Sequence, residues 1–191
     1  MATRKKGVKT RKAAPKKKAA ASVRPASAHP SSKAIFLDFF QREHAMTLKV
    51  LNAFPASQSE FRPHPRSKSA RELAFTFVME QALISLALRD QLKLGAGMPK
   101  TPDDFSMIVQ QFESDYQALL ALIKKSPDKA FEGTVDFFVG PGKVAPWPKL
   151  EFMRFMVCDQ VHHRGQYSIY LRMAGGKVPA IYGPSADETW T

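Results

Sequence analysis

Apolar residues recur at helical spacing in four stretches between residues 32 and 174. The first runs from Ser32 to Ala53, where Phe36, Phe40, Thr47, Leu51 and Phe54 share a face and Glu43 and His44 stand beside it; Pro55 ends it. The second opens at Ser69-Ala70-Arg71-Glu72, a capping-box pattern. Its stripe of Leu73, Phe77, Ile84, Ala87 and Leu88 is broken by Thr76 and Glu80, and Gly95 and Gly97 are its predicted stop. The third opens at Thr101-Pro102-Asp103-Asp104, with Thr101 as N-cap, proline in the first turn and acids at the positive end of the helix dipole. Phe105, Ile108, Phe112, Tyr116, Leu119 and Ile123 continue it to Ser126-Pro127. The fourth runs from Pro148 to Ala174 and stops at Gly175-Gly176.

Four such helices predict an all-α four-helix bundle over residues 33–191. The connections 55–68 and 127–148 are long enough for a crossover. Residues 127–148 read as a loop or short extended pieces, with Val135, Phe137, Phe138 and Val139 apolar enough to pack on the bundle. Lys177 to Thr191 holds Pro179, Gly183 and Pro184 and reads as an extended tail folded back on the domain.

The fourth helix carries the least expected pattern. Phe152, Met156, Asp159, His163, Tyr167 and Tyr170 fall on one face, so a carboxylate and an imidazole interrupt a stripe that should be core. Burying ionisable groups costs several kcal/mol unless something pairs with them. Asp159 and His163, four apart, have the spacing by which one helix offers two ligands to one ion, and bundles build metal sites from inward side chains on facing helices. A further ligand would come from another helix: Glu80 is the best charged candidate, His44 the next, and Thr76 is a poor ligand when neutral. The other reading is a polar layer in which Asp159 and His163 pair with each other, or with Arg164 or Arg172. His162 points a quarter turn away and is expected to be exposed. Gly165 implies close approach of a neighbouring helix or the C-terminal tail, and Cys158 reads as a buried, inert thiol.

Charge changes the picture at one end only. The chain of 191 residues carries 29 Lys and Arg against 17 Asp and Glu. Ten of those cations lie in residues 1–32, which hold no acid, and the remainder is near neutrality. This Lys/Ala/Pro-rich segment cannot offset its ordering entropy by burial and is predicted to be disordered. It reads either as an arm making non-specific nucleic-acid contact or as a solubilising tail. A single cysteine excludes an internal disulfide and suits a reducing compartment. No apolar run approaches a membrane span, and the basic N-terminus has no apolar segment behind it, so the expected location is cytoplasmic with no membrane partner. Gly140-Pro141-Gly142-Lys143 lacks the spacing of a phosphate-binding loop, and there is no Gly-x-Ser-x-Gly nucleophile turn.

His162-His163-Arg164-Gly165-Gln166, followed by Tyr170-Leu171-Arg172, Gly175-Gly176-Lys177-Val178-Pro179 and Ile181-Tyr182-Gly183-Pro184-Ser185, closely resembles the DinB family. Glu43 with Thr47, Arg62-Pro63-His64-Pro65 and Ser69 to Ala74 fit as well, and the resemblance covers about residues 34–188. It implies a four-helix bundle of DinB/YfiT type with a crossover, often dimeric, holding a divalent metal on three histidines. It also implies thiol-dependent transferase or isomerase chemistry, or hydrolysis, on a small-molecule substrate. His163 matches the last histidine of that triad; the other two fall on Asp159 and on Thr76. A site of His163, Asp159 and Glu80 is richer in oxygen and favours manganese, iron or magnesium over nickel. The alternative is a metal-free bundle serving as a binding or stress-response module, with residues 1–32 on nucleic acid.

Overall fold

The computed structural model describes residues 30–95, 97 and 99–189, so the basic segment expected to be disordered lies, for residues 1–29, outside them. Four helices carry the fold: α1 (Ser32–Ala53), α2 (Ala70–Leu88), α3 (Phe105–Lys125) and α4 (Lys149–Met173). Local chemistry sets their starts. Ser31 Oγ accepts from Ala34 N to cap α1. Ser69 and Glu72 close a reciprocal capping box on α2. The N-cap of α3 is Asp104, whose carboxylate accepts from Ser106 N, and not Thr101. That carboxylate satisfies an orphan amide of the first turn as well as a hydroxyl would.

The fold is mostly helical, not all-α. Residues expected as loop or extended pieces form an antiparallel hairpin, β1 (Thr134–Gly140) with β2 (Lys143–Pro148). Val135 is buried and Phe137 half-buried against the bundle, where Phe137 lies edge-on to Phe152 at 4.8 Å. Phe138 and Val139 are exposed rather than packed, because consecutive strand residues alternate and Val139 sits at the hairpin's irregular end.

α2 also stops sooner than its glycines suggest. Asp90 adopts a left-handed φ of 58°, and Gln91 N returns to Leu86 O at 2.8 Å, closing the helix before Gly95. Aspartate tolerates that conformation better than most side chains. The consequence is topological. The core divides into two apolar halves. The N-terminal ends of α2 and α3 (Leu73, Phe77, Phe105, Ile108) pack with the C-terminal ends of α1 and α4 (Leu51, Phe54, Tyr167, Leu171). The opposite ends (Ile84, Leu88, Leu119, Ile123 with Phe36, Phe40, Phe152, Met153) form the other half. α1 and α4 therefore run one way, and α2 and α3 the other. The crossover is residues 89–104, which return the chain along the length of the bundle, and not 55–68 or 127–148. An extended chain covers about 3.3 Å per residue against 1.5 Å in a helix, so this segment suffices.

Between the two halves lies a belt of buried polar side chains at the middle of the helices: Glu43, His44 and Thr47 on α1, Glu80 and Gln81 on α2, Gln160 and Arg164 on α4. The C-terminal segment folds back as expected. Val178 and Ile181 pack on the first half of the core, and Gly176 passes so close to α1 that an added Cβ would lie 3.2 Å from Ala53 O and inside Leu171.

Candidate metal centre in the polar belt

α2 and α4 pack against each other and bring Glu80, Asp159 and His163 together. Their donor atoms all lie within 4.8 Å of one another. His163 Nδ1 is 2.7 Å from Glu80 Oε1 and 4.0 Å from Asp159 Oδ1. Glu80 is buried, while Asp159 and His163 sit on the flank of the belt, their side chains 34% and 18% exposed. The buried face of α4 is turned slightly from the one read in the sequence, toward Gln160 and Arg164. The same turn leaves Cys158 and Gly165 on the outside. Cys158 is exposed rather than buried, and among the described residues nothing lies within 4 Å of a Cβ placed on Gly165. His162 is exposed as expected.

The electrostatics of the cluster follow from its burial. Loss of water around Glu80 raises its carboxyl to about 7, with His163 opposing and Asp159 adding to the rise. His163 is raised from its ordinary value, chiefly by its hydrogen bond to Glu80, with burial acting against it. One proton between two donor atoms 2.7 Å apart thus holds the pair together. Glu80 Oε2 is buried and has no hydrogen-bond partner among the described residues. Such orphans are rare in native cores and call for an explanation. A cation held by the three side chains would supply the missing partner, and two carboxylates with one imidazole are donors that divalent ions accept. The residues fit a metal ion.

His44 and Thr76 stand elsewhere. His44 is buried, stacks on Tyr116 at 3.5 Å and uses both ring nitrogens, with Glu113 Oε2 at 3.0 Å from Nε2 and Gln81 Nε2 at 3.2 Å from Nδ1. Burial lowers its pKa, Glu113 offsetting part of the effect. Thr76 Oγ1 donates to Glu72 O and accepts from Lys68 Nζ at 2.9 Å, so the helix-two position of the expected triad faces an ammonium. A cavity of about 420 Å³ opens beside His163, lined also by Ser67, Lys68, Leu73, Gln166 and Tyr170.

Sequence reasoning did not find the neighbouring network. Arg164, fully buried, does not pair with Asp159 or His163; its Nη2 donates to Glu43 Oε2 at 2.8 Å and its Nη1 to Glu43 O and Thr47 Oγ1. The Tyr182 hydroxyl of the C-terminal segment donates to the same Glu43 oxygen. Burial pushes the Glu43 carboxyl upward, but Tyr182 and Arg164 outweigh it and leave it below its usual range. Arg172, the other partner considered for His163, pairs with Asp187 at 2.7 Å. Glu43 and Thr47, four apart near the apolar stripe of α1, were the available signal.

Comparison with known proteins agrees with this architecture. The structure resembles the crystal structure of a DinB-like protein from Bacillus cereus, with a TM-score of 0.65 at 22% identity over 77% of this chain and 95% of that one. It also resembles a DinB-like protein from Bacillus subtilis, with a TM-score of 0.60 at 12% identity over 74% and 92%. At such identities the likeness concerns the fold. A shorter segment of 41 residues is 44% identical to YrdA of Bacillus subtilis, spanning 22% of this chain and a quarter (25%) of that protein's length. The family model described as DinB family matches residues 30–190, from the start of α1 to the end of the folded-back segment, and the chain belongs to the DinB family.

Proposed function

We propose that this protein binds a divalent metal ion through Glu80, Asp159 and His163 and uses it in hydrolysis or thiol transfer on a small molecule. The observation that carries the reading is the unpartnered, buried Glu80 Oε2 inside a cluster of three donors. An ion bound there would supply Lewis acidity toward a water or a thiol. The chain's own residues do the rest. Glu80 anchors the cluster from the dry side, Asp159 closes it from the wetter side, and His163 reaches both the cluster and the cavity wall. The oxygen-rich donor set favours manganese, iron or magnesium over nickel. Among the described residues no helix is long and apolar enough to cross a membrane.

The test is elemental analysis of protein purified without a histidine tag. About one divalent ion per chain is expected, with a rise in melting temperature on adding metal, and His163→Ala loses both. Absence of stoichiometric metal together with an unchanged melting temperature sinks the reading.

A second reading has its own support. The direct Glu80–His163 hydrogen bond closes the cluster with a proton alone. In that case the bundle is a metal-free binding module, and its basic residues 1–32 contact nucleic acid. Salt-sensitive DNA binding that vanishes on removing that segment is the expected signature.

A further inference from the structure

Lys68 lines the cavity beside His163 and has no acid to neutralise it among the described residues. Its ammonium hydrogen-bonds to Thr76 Oγ1, a neutral hydroxyl, and makes no ion pair among the described residues. Its main chain is held firmly by contrast. Lys68 O accepts from Tyr170 Oη at 3.2 Å, and the next residue is the N-cap of α2, locked in its capping box. A fixed backbone with a lightly held charged tip is the arrangement that lets a lysine meet a ligand at little ordering cost. That cavity is lined as well by the apolar side chains of Leu73 and Ile169. At about 420 Å³ that cavity is in the size range of small-molecule sites.

We propose that the cavity takes a small molecule carrying a carboxylate or phosphate on an apolar body, with Lys68 as the residue that selects for the anion. The placement of the reacting part of that molecule at the His163 end rests on the metal reading above. Charge balance favours an anion there. Two ionised carboxylates and a divalent cation sum to zero, so Lys68 leaves the site net positive. Without a metal that balance is lost, and the preference for an anion weakens without disappearing.

The full chain, loaded with manganese and separately stripped with a chelator, is titrated calorimetrically with benzoate, phenyl phosphate and the neutral isostere benzamide. At least one of the anions is expected to bind about tenfold or more tightly than benzamide, the gain a charge-assisted hydrogen bond provides. Lys68→Met is expected to abolish that preference and Lys68→Arg to keep most of it. Which anion binds tighter tells carboxylate from phosphate. Equal binding of benzamide, an anion preference that survives Lys68→Met, or no binding by any of the three in either state overturns the proposal. Metal content, measured after separate loading with manganese, iron and magnesium, reports on the metal reading: a Lys68-dependent preference with no uptake of any of the three sinks that reading and leaves the anion site standing.

Discussion

His163 and Arg164 are neighbours on α4, and each meets a glutamate in the same polar belt. Arg164 turns to α1 and finds Glu43; His163 turns to α2 and finds Glu80. The first pair is complete. Both side chains are about 2% exposed, the guanidinium meets a carboxylate, a carbonyl and a hydroxyl, and Tyr182 adds a donor from outside. The second pair is left open. It has one hydrogen bond, a carboxylate oxygen with no partner, a further carboxylate at 4.0 Å and a cavity beside it. A buried pair with no orphaned buried atom serves the fold. A buried pair with an unused oxygen, one member of which lines a cavity, has the atoms and the space that a ligand needs. Burial alone does not separate the two; the count of satisfied atoms does.

The sharpest way to break this comparison is to remove one partner of the closed pair. Arg164→Met leaves a buried carboxylate without its cation and is expected to cost roughly 3–5 kcal/mol in urea unfolding. Replacing both, Glu43→Leu with Arg164→Met, is expected to cost less than the single change, since no charge is then stranded. Glu80→Gln in metal-free protein is the matching change in the open pair. An amide still accepts from His163 Nδ1–H, and a carboxyl that resists ionisation loses little by becoming neutral, so a change within about 1 kcal/mol is expected. If Arg164→Met is as mild as Glu80→Gln, the two pairs are not different in kind.

A smaller effect separates the pairs by pH. Glu80 has a folded pKa of about 7, above its unfolded value of 4.5. The folded state therefore binds more protons between those values, and the stability this confers is present below pH 4.5 and lost as pH rises through 7. His163, also raised, acts in the same direction: its contribution is full below its ordinary 6.5 and fades as pH rises through its folded value. Glu43 is lowered, so its contribution is present above 4.5 and lost as pH falls through its folded value. His44 is lowered too and opposes the open pair near pH 6.5. The clean measurement is thus a difference. Between pH 6 and pH 8, metal-free wild type is expected to lose on the order of 1 kcal/mol relative to Glu80→Gln. Parallel stability curves for the two would place Glu80 in a wetter setting than its burial implies.

The open pair was more legible in the sequence than the closed one. Glu80 breaks an apolar stripe, and Asp159 with His163 four residues on breaks another, so periodicity alone located all three. Arg164 is next to His163 in a motif, yet its partner lies 121 positions away and on a helix whose stripe Glu43 only borders. No local rule joins them. The start of α2 was legible from its capping box, whereas α3 is capped by Asp104 and not by Thr101; α1 and α4 end where proline and glycine predict. The end of α2 was not, because an aspartate rather than a glycine takes the left-handed turn, and this moved the crossover to residues 89–104. The hairpin was missed because its strands are short and alternate too weakly, turning on Gly140-Pro141-Gly142, to stand out from a loop. Exposure of Cys158 and Gly165 followed from a modest rotation of α4 that a stripe of six residues does not define.

The mildest test concerns how the closed pair is sealed. Tyr182 is 62% exposed, yet its hydroxyl reaches a carboxylate that is almost wholly buried, and its ring lies 5.1 Å from the Arg164 guanidinium carbon. Tyr182→Phe keeps the ring over Arg164 and removes the hydroxyl alone. Glu43 Oε2 still accepts from Arg164, so no charge is stranded, and the expected loss is about 1 kcal/mol. The local consequence should exceed the global one. Tyr182 belongs to the segment that Arg172–Asp187 also pins, and lifting of that segment would free the chain around the exposed Lys177 for trypsin. Cleavage there is expected to speed up about fivefold in Tyr182→Phe, in step with the lost hydrogen bond. An unchanged cleavage rate would assign the hold on the segment to Asp187 and the apolar contacts of Val178 and Ile181. The Glu43–Arg164 pair would then be closed by α1 and α4 without help from the C-terminus.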